Sequence, residues 1–157
     1  AHELTGASMI AFTGESGVYR KVKHCEVGEL RRELSGWGLF TARLTCQPFT
    51  YLTEGLNPVT LTASGAITNP GLLDADPIIT VYGTGALSLT INARVYHVNS
   101  PAGSVTLDSA RLVAHAHGKV QTDALSEAFP TFKPGVNRIT LGTGISQVLI
   151  VPNWRNP

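Results

Sequence analysis

Charge is scarce in this chain. Of its 157 residues, 12 are Lys or Arg and 11 are Asp or Glu. Together they make 15% of the sequence, against roughly 25% in an average soluble domain. The two signs are also evenly spread. Residues 1–55 carry six basic and six acidic groups, and residues 56–157 carry six and five. With no basic stripe, nucleic acid and anionic membrane surfaces are poor candidates as partners. No run of 18 apolar residues occurs, so no membrane insertion is expected. The opening "AHELTGASMIAF" is neither a basic-then-apolar signal peptide nor a transit peptide, and it has no initiator Met. A processed chain or a fragment is expected.

Motifs of chemistry are missing as well. There is no G-x-S-x-G, no phosphate loop and no dinucleotide fingerprint. "GTGALS" resembles a phosphate-cradling loop only superficially, because strand alternation follows it rather than a helix. His115 and His117 form an "HAH" that would point to one side of a strand, but no third ligand stands at a sensible spacing. His2, His24 and His97 sit in polar strand or terminal contexts. Asp74 and Asp76 in "LLDADP" lack the Gly and bidentate Glu of a calcium loop and read as a solvated turn; with Asp108 they are the main acidic candidates. Nothing argues for an enzyme, a metal or a cofactor.

Cysteine is nearly absent. If the segments around Cys25 and Cys46 pair as one hairpin with its loop near Gly28 to Gly36, Cys25 faces a residue near position 40, too far from Cys46 for a bridge. Two buried thiols are expected, in keeping with assembly in a reducing cytoplasm. Helix signals are few. "TDALSEAF" could make a turn or two, capped by Thr122 or Asp123 and stopped by Pro130. "GELRREL" reads equally well as a short helix or a charged hairpin loop.

What the chain has is alternation by two. "ALSLTIN" sets Leu87, Leu89 and Ile91 against Ser88, Thr90 and Asn92, and "FTARLTC" sets Phe40, Ala42, Leu44 and Cys46 against Thr41, Arg43 and Thr45. Such alternation marks half-buried antiparallel strands. "PIITVY" and "SQVLIV" are continuous apolar runs, expected to lie between two sheets. Turn signals punctuate them at 69–71, 83–85, 100–103, 133–135 and 142–144, the last expected to join "NRITL" and "ISQVLIV" as a tight hairpin. A boundary falls near "YLTEGLNPV". Residues 1–55 are charge-rich hairpins too short to bury a core alone. Residues 56–157 carry about nine strands, the pattern of an antiparallel sandwich or jelly roll.

Aromatic residues beside polar ones could hold a sugar ring. Trp37, Tyr82, Tyr96 and Trp154 are the aromatic candidates. "NARVYHVN" places Asn92, Arg94, His97 and Asn99 in one stretch, with Asn92, Arg94 and Tyr96 as the contact set.

Five stretches, in order, resemble the distal tail protein of long-tailed, siphovirus-type bacteriophages: "WGLFTARLTCQPFTYLTEG", "TNPGLLDADPIITVYGTGALSLTIN", "TLDSARLVAH", "FPTFKPGVNRITL" and the closing "QVLIVPNWRNP". The resemblance covers roughly residues 10–157. The chain departs from the family's pattern at Ala110, where the family has Glu, at His115, where it has an aromatic, and at Asn153, where it has Arg. The family also has dozens more residues at the front of its ring-forming belt domain. The resemblance implies belt hairpins over residues 1–55 and a galectin-like β-sandwich over 56–157. It implies a structural adaptor of the virion tail tip, joining the tail tube to the baseplate and receptor-binding proteins. It also implies a ring of its own copies, hexameric if the belt is complete. Structural or interface candidates are Trp37, Phe40, Phe49, Trp154 and Arg155. The alternative is a galectin-like carbohydrate-binding module.

Overall fold

A computed structural model describes residues 9–29, 31–34 and 37–157, and the chain divides into two compact units. The first spans residues 1–51 with Pro157, and the second Leu52–Asn156.

In the first unit, β2 (Val18–Val27) is the organising strand. It pairs with β1 (Met9–Ile10), β5 (Ala42–Cys46) and β6 (Thr50–Leu52). Between β2 and β5 the chain makes a separate two-stranded ribbon, β3 (Arg31–Leu34) with β4 (Trp37–Leu39), so the charged stretch is a hairpin and not a helix. Leu30, Ser35 and Gly36 lie outside the described residues. The β2–β5 register differs from the simple hairpin expected. Cys25 faces Leu44, and Cys46 faces Val22. A bulge between Val22 and His24 shifts the pairing. Both thiols are free, and both are half-buried rather than buried.

The second unit is an antiparallel β-sandwich, preceded by one 3-10 turn at Thr53–Leu56. Its strands are β7 (Val59–Leu61), β8 (Gly65–Asn69), β9 (Ile78–Tyr82), β10 (Gly85–Ile91), β11 (Arg94–Ser100), β12 (Ser104–Asp108), β13 (Val113–Ala116), β14 (Lys119–Val120), β15 (Gly135–Leu141) and β16 (Gln147–Val151). One sheet runs β11-β10-β15-β8, and the other β14-β13-β12-β9-β16-β7. A short β17 (Arg155–Asn156) ends the chain. Alternation sends Leu87, Leu89 and Ile91 of β10 inward to meet Ile79 and Val81 of β9 and Val148 and Ile150 of β16.

Three expectations change here. The turn at 142–144 makes no hairpin, because β15 and β16 belong to opposite sheets and the chain crosses the sandwich there. The turns after β8, β9 and β11 do the same. "PIITVY" and "SQVLIV" are central strands of the six-stranded sheet, buried on the inner face and only half-buried on the outer one. Residues 121–129 form no helix. They run as a strap along the edge of β11, where Asn99 N donates to Ala124 O at 2.9 Å and Val98 bridges Leu125. Pairing with a strand edge and burial of Ala124 outweigh a weak helical propensity. Among the described residues no helix is long and apolar enough to cross a membrane.

Candidate functional site

The C-terminal tail is held by a knot of side chains within the sandwich unit. Trp154 is 5% exposed, and its ring lies 5.8 Å from that of Phe132, tilted by 52°. Asn153 takes a left-handed conformation (φ 56°), which Asn tolerates better than most residues. Its N–H donates to Gly55 O at 2.9 Å, and its side-chain amide donates to Asp76 O at 3.0 Å. Arg155 donates from Nε to Asp74 O at 2.6 Å and from Nη1 to Asp76 Oδ2 at 2.5 Å. A Cβ on Gly55 would come within 2.5 Å of Trp154 N, and one on Gly71 within 2.5 Å of Arg155 O. The tail therefore lies on bare backbone at both places.

The other motifs named above reach the same knot. Asn69 Oδ1 accepts from Gly71 N at 2.8 Å, which closes the Asn-Pro-Gly turn, and its amide donates to Leu73 O at 3.1 Å. Ala75 and Phe132 exchange both backbone hydrogen bonds. Asn137, fully buried on β15, ties the Pro-Gly turn. Its amide donates to Lys133 O (2.8 Å) and Gly135 O (3.0 Å), and its Oδ1 accepts from Lys133 N (2.9 Å) and Asn92 Nδ2 (2.7 Å). Asp74 pairs with Lys133 at 2.5 Å. "LLDADP" is thus a scaffold for the tail, not a solvated turn. Asp108 is buried and accepts from Arg111 N at 3.1 Å.

The first unit presents a different surface. Among its described residues only Tyr19 and Tyr51 are buried hydrophobics, their rings stacked at 5.4 Å, with Phe49 edge-on to Tyr51 at 6.4 Å. Four large apolar side chains stay exposed: Met9 (50%), Phe12 (51%), Leu39 (62%) and Phe40 (43%). The Arg20 guanidinium stands 5.7 Å from the Phe12 ring and pairs with Glu15, whose carboxyl is held below its usual range by that hydrogen bond. Trp37 stands in β4, and its side chain lies outside the described residues, as do His2 and Ser8.

The expected sugar contacts do not assemble. Tyr96 is 4% exposed and packs in the core, so it offers no platform. Asn92 and Ala93 form the β10–β11 turn with φ of 51° and 66°, and the Asn92 side chain is spent on Asn137 and Arg138 N. Arg94 lies 5.4 Å from the Tyr96 ring. The "HAH" pair also separates. His115 stays on β13, while His117 turns away at φ 49° and bonds Ala102 O. Among the described residues no cluster of His, Cys, Asp or Glu is placed to hold a metal.

Comparison with known proteins gives a fold relative. No family model matches this chain, and no curated protein does. Among solved structures, the fold is similar to that of the Dit (gp 19.1) protein of phage SPP1, described as a paradigm of the hub adsorption apparatus in Gram-positive-infecting phages, with a TM-score of 0.58 and 19% identity. The match covers 95% of this chain and 66% of that one, just short of two thirds of its length. At that identity the likeness is one of fold.

Proposed function

We propose that this chain is a structural adaptor of a phage or prophage tail tip, joining the tail tube to the baseplate or host-adhesion apparatus through protein contacts and without turnover. The observation that carries the reading is the first unit. Among its described residues it buries only Tyr19 and Tyr51 as large apolar side chains and leaves Met9, Phe12, Leu39 and Phe40 exposed. Such side chains suit anchors in a protein interface. The belt-like hairpins would then meet further copies of this chain in a ring and the tail tube, while the sandwich would face tail-tip or receptor-binding proteins. The fold shared with a phage hub protein supports this assignment, as does the absence of any catalytic motif in the sequence. The place of action would be the virion, after assembly in the host cytoplasm.

The test is immunogold labelling of particles produced by a lysate that expresses the gene. The reading expects gold at the distal end of the tail. Gold on the capsid, along the tube, or on no particle overturns it.

A further inference from the structure

A cleft of about 370 Å³ opens on the outer face of the four-stranded sheet. Its floor is the β10–β11 pair, where Ser88 faces His97 and Ala86 faces Asn99 across the strands. Side chains at these positions point away from the core, since Leu87, Leu89, Tyr96 and Val98 point into it. One wall is the strap, with Asp123 and Ser126. The other is the 142–144 turn, with Thr143.

Both walls are fixed. The strap is pinned to β11 by Asn99 N on Ala124 O and by Glu127, whose carboxylate accepts from His97 N at 3.1 Å and meets His97 Nδ1 at 2.6 Å. The turn is pinned by Gly142 N on Ser88 O at 2.9 Å. A Cβ on Gly142 would stand 2.1 Å from Ser88 Oγ, so only glycine lets the turn approach this closely. Ala86 keeps the floor low.

The polar groups lining the cleft are Ser88, His97, Asn99, Asp123, Ser126 and Thr143. Three are hydroxyls. The Asn99–Asp123 contact is long, at 3.4 Å, and leaves the Asp123 carboxylate and the Asn99 carbonyl open to stronger donors. With His97 Nδ1 engaged by Glu127, Nε2 is left for another partner. No Lys or Arg lines the cleft, which disfavours phosphate and carboxylate ligands. No aromatic residue lines it, and of the apolar residues that do, Ala86 is small while Leu87 and Val98 turn their side chains into the core, which disfavours an apolar peptide. A single carboxylate makes a poor cation site. What remains complementary is an uncharged ligand rich in hydroxyls that both donate and accept. The volume lies at the low end of small-ligand sites, roughly 300–1,000 Å³, which suits one ring.

We propose that this cleft binds one unit of a neutral, hydroxyl-rich ligand, a sugar ring, through Asn99, Asp123 and the surrounding hydroxyls. Binding here would add to the adaptor role and does not depend on it.

The test is saturation-transfer NMR on the full chain with the methyl glycosides of glucose, galactose and N-acetylglucosamine, and with inorganic phosphate as a charged competitor. At least one glycoside should give a saturable signal with a dissociation constant on the order of millimolar, as expected for a single ring with few contacts. Asn99→Ala removes an exposed side chain and Ala86→Phe fills the floor from outside the core. Each should weaken binding about tenfold or more, with the melting temperature unchanged. No saturable signal from any glycoside, a signal retained in either variant, or displacement by phosphate overturns the proposal.

Discussion

The indole of Trp154 and the ring of Phe132 meet at 5.8 Å, which places the segment between β16 and β17 against the loop that precedes β15. Removing the indole should leave a cavity at the end of the core that Gly55 and its bare backbone cannot fill. Trp154→Ala is expected to destabilise the sandwich unit by about 3 kcal/mol. Denaturant unfolding checks this, and an unchanged midpoint would show that the tail is not part of the core.

Asn137 is the polar counterpart of that packing. All its hydrogen-bonding capacity is used inside the fold. Asn137→Ala leaves Lys133 N and two carbonyls without these partners, and a loss of about 2–3 kcal/mol is expected. Asn137→Leu should be no better, because the unsatisfied backbone groups dominate over volume. Thermal unfolding of the two variants beside the parent decides the matter.

Ala93 stands in a two-residue β-turn at φ 66°, after Asn92 at φ 51°. Both signs match the turn that fits strand twist, in which the second position favours glycine. Ala93→Gly is expected to raise stability by about 0.5–1 kcal/mol, the left-handed strain of alanine outweighing the added freedom of glycine when unfolded. A lower melting temperature would contradict the turn geometry.

Tyr19 predicts a pH dependence in the first unit. Burial, and secondarily the neighbouring Tyr51, push its phenol up to about 12. Unfolded tyrosine titrates near ~10, so the folded state holds the proton more tightly. The stability linked to it is full below about pH 10 and is lost as pH rises through about 12. Tyr19→Phe should flatten that alkaline fall. At neutral pH it should cost little, since the buried hydroxyl has no hydrogen-bond partner among the described residues. Urea midpoints taken across the alkaline range test both statements.

Alternation was a sound guide to this fold because a sandwich has one core and each strand shows it one face. "ALSLTIN" reads off directly as β10, with Leu87, Leu89 and Ile91 buried. Connectivity was less legible. The glycine turn at 142–144 carries the signature of a hairpin, yet the same local chemistry serves a crossover between sheets. Only the pairing of β15 with β8 and β10, and of β16 with β7 and β9, separates the two cases. The β10–β11 hairpin is hidden in the sequence because its turn is Asn92-Ala93, without the glycine that flags such turns. Asn92 was the signal available. Tyr96 looked like a sugar platform because composition cannot say which face of a strand is inward. Its alternation with His97 and Asn99 held that information, and it places the outward polar pair over the cleft. The tail knot was legible as separate motifs, but its convergence on Phe132 and Asp76 is a matter of long-range packing.

The central claim is that the first unit joins copies of this chain. It is tested most directly by multi-angle light scattering of the full chain, with negative-stain images of the same peak, for the parent and for Phe40→Asp. The account predicts a closed ring of about six copies for the parent and a shift to the monomer when an exposed apolar anchor becomes charged. A parent that is monomeric at every concentration, or a ring that Phe40→Asp leaves intact, contradicts it.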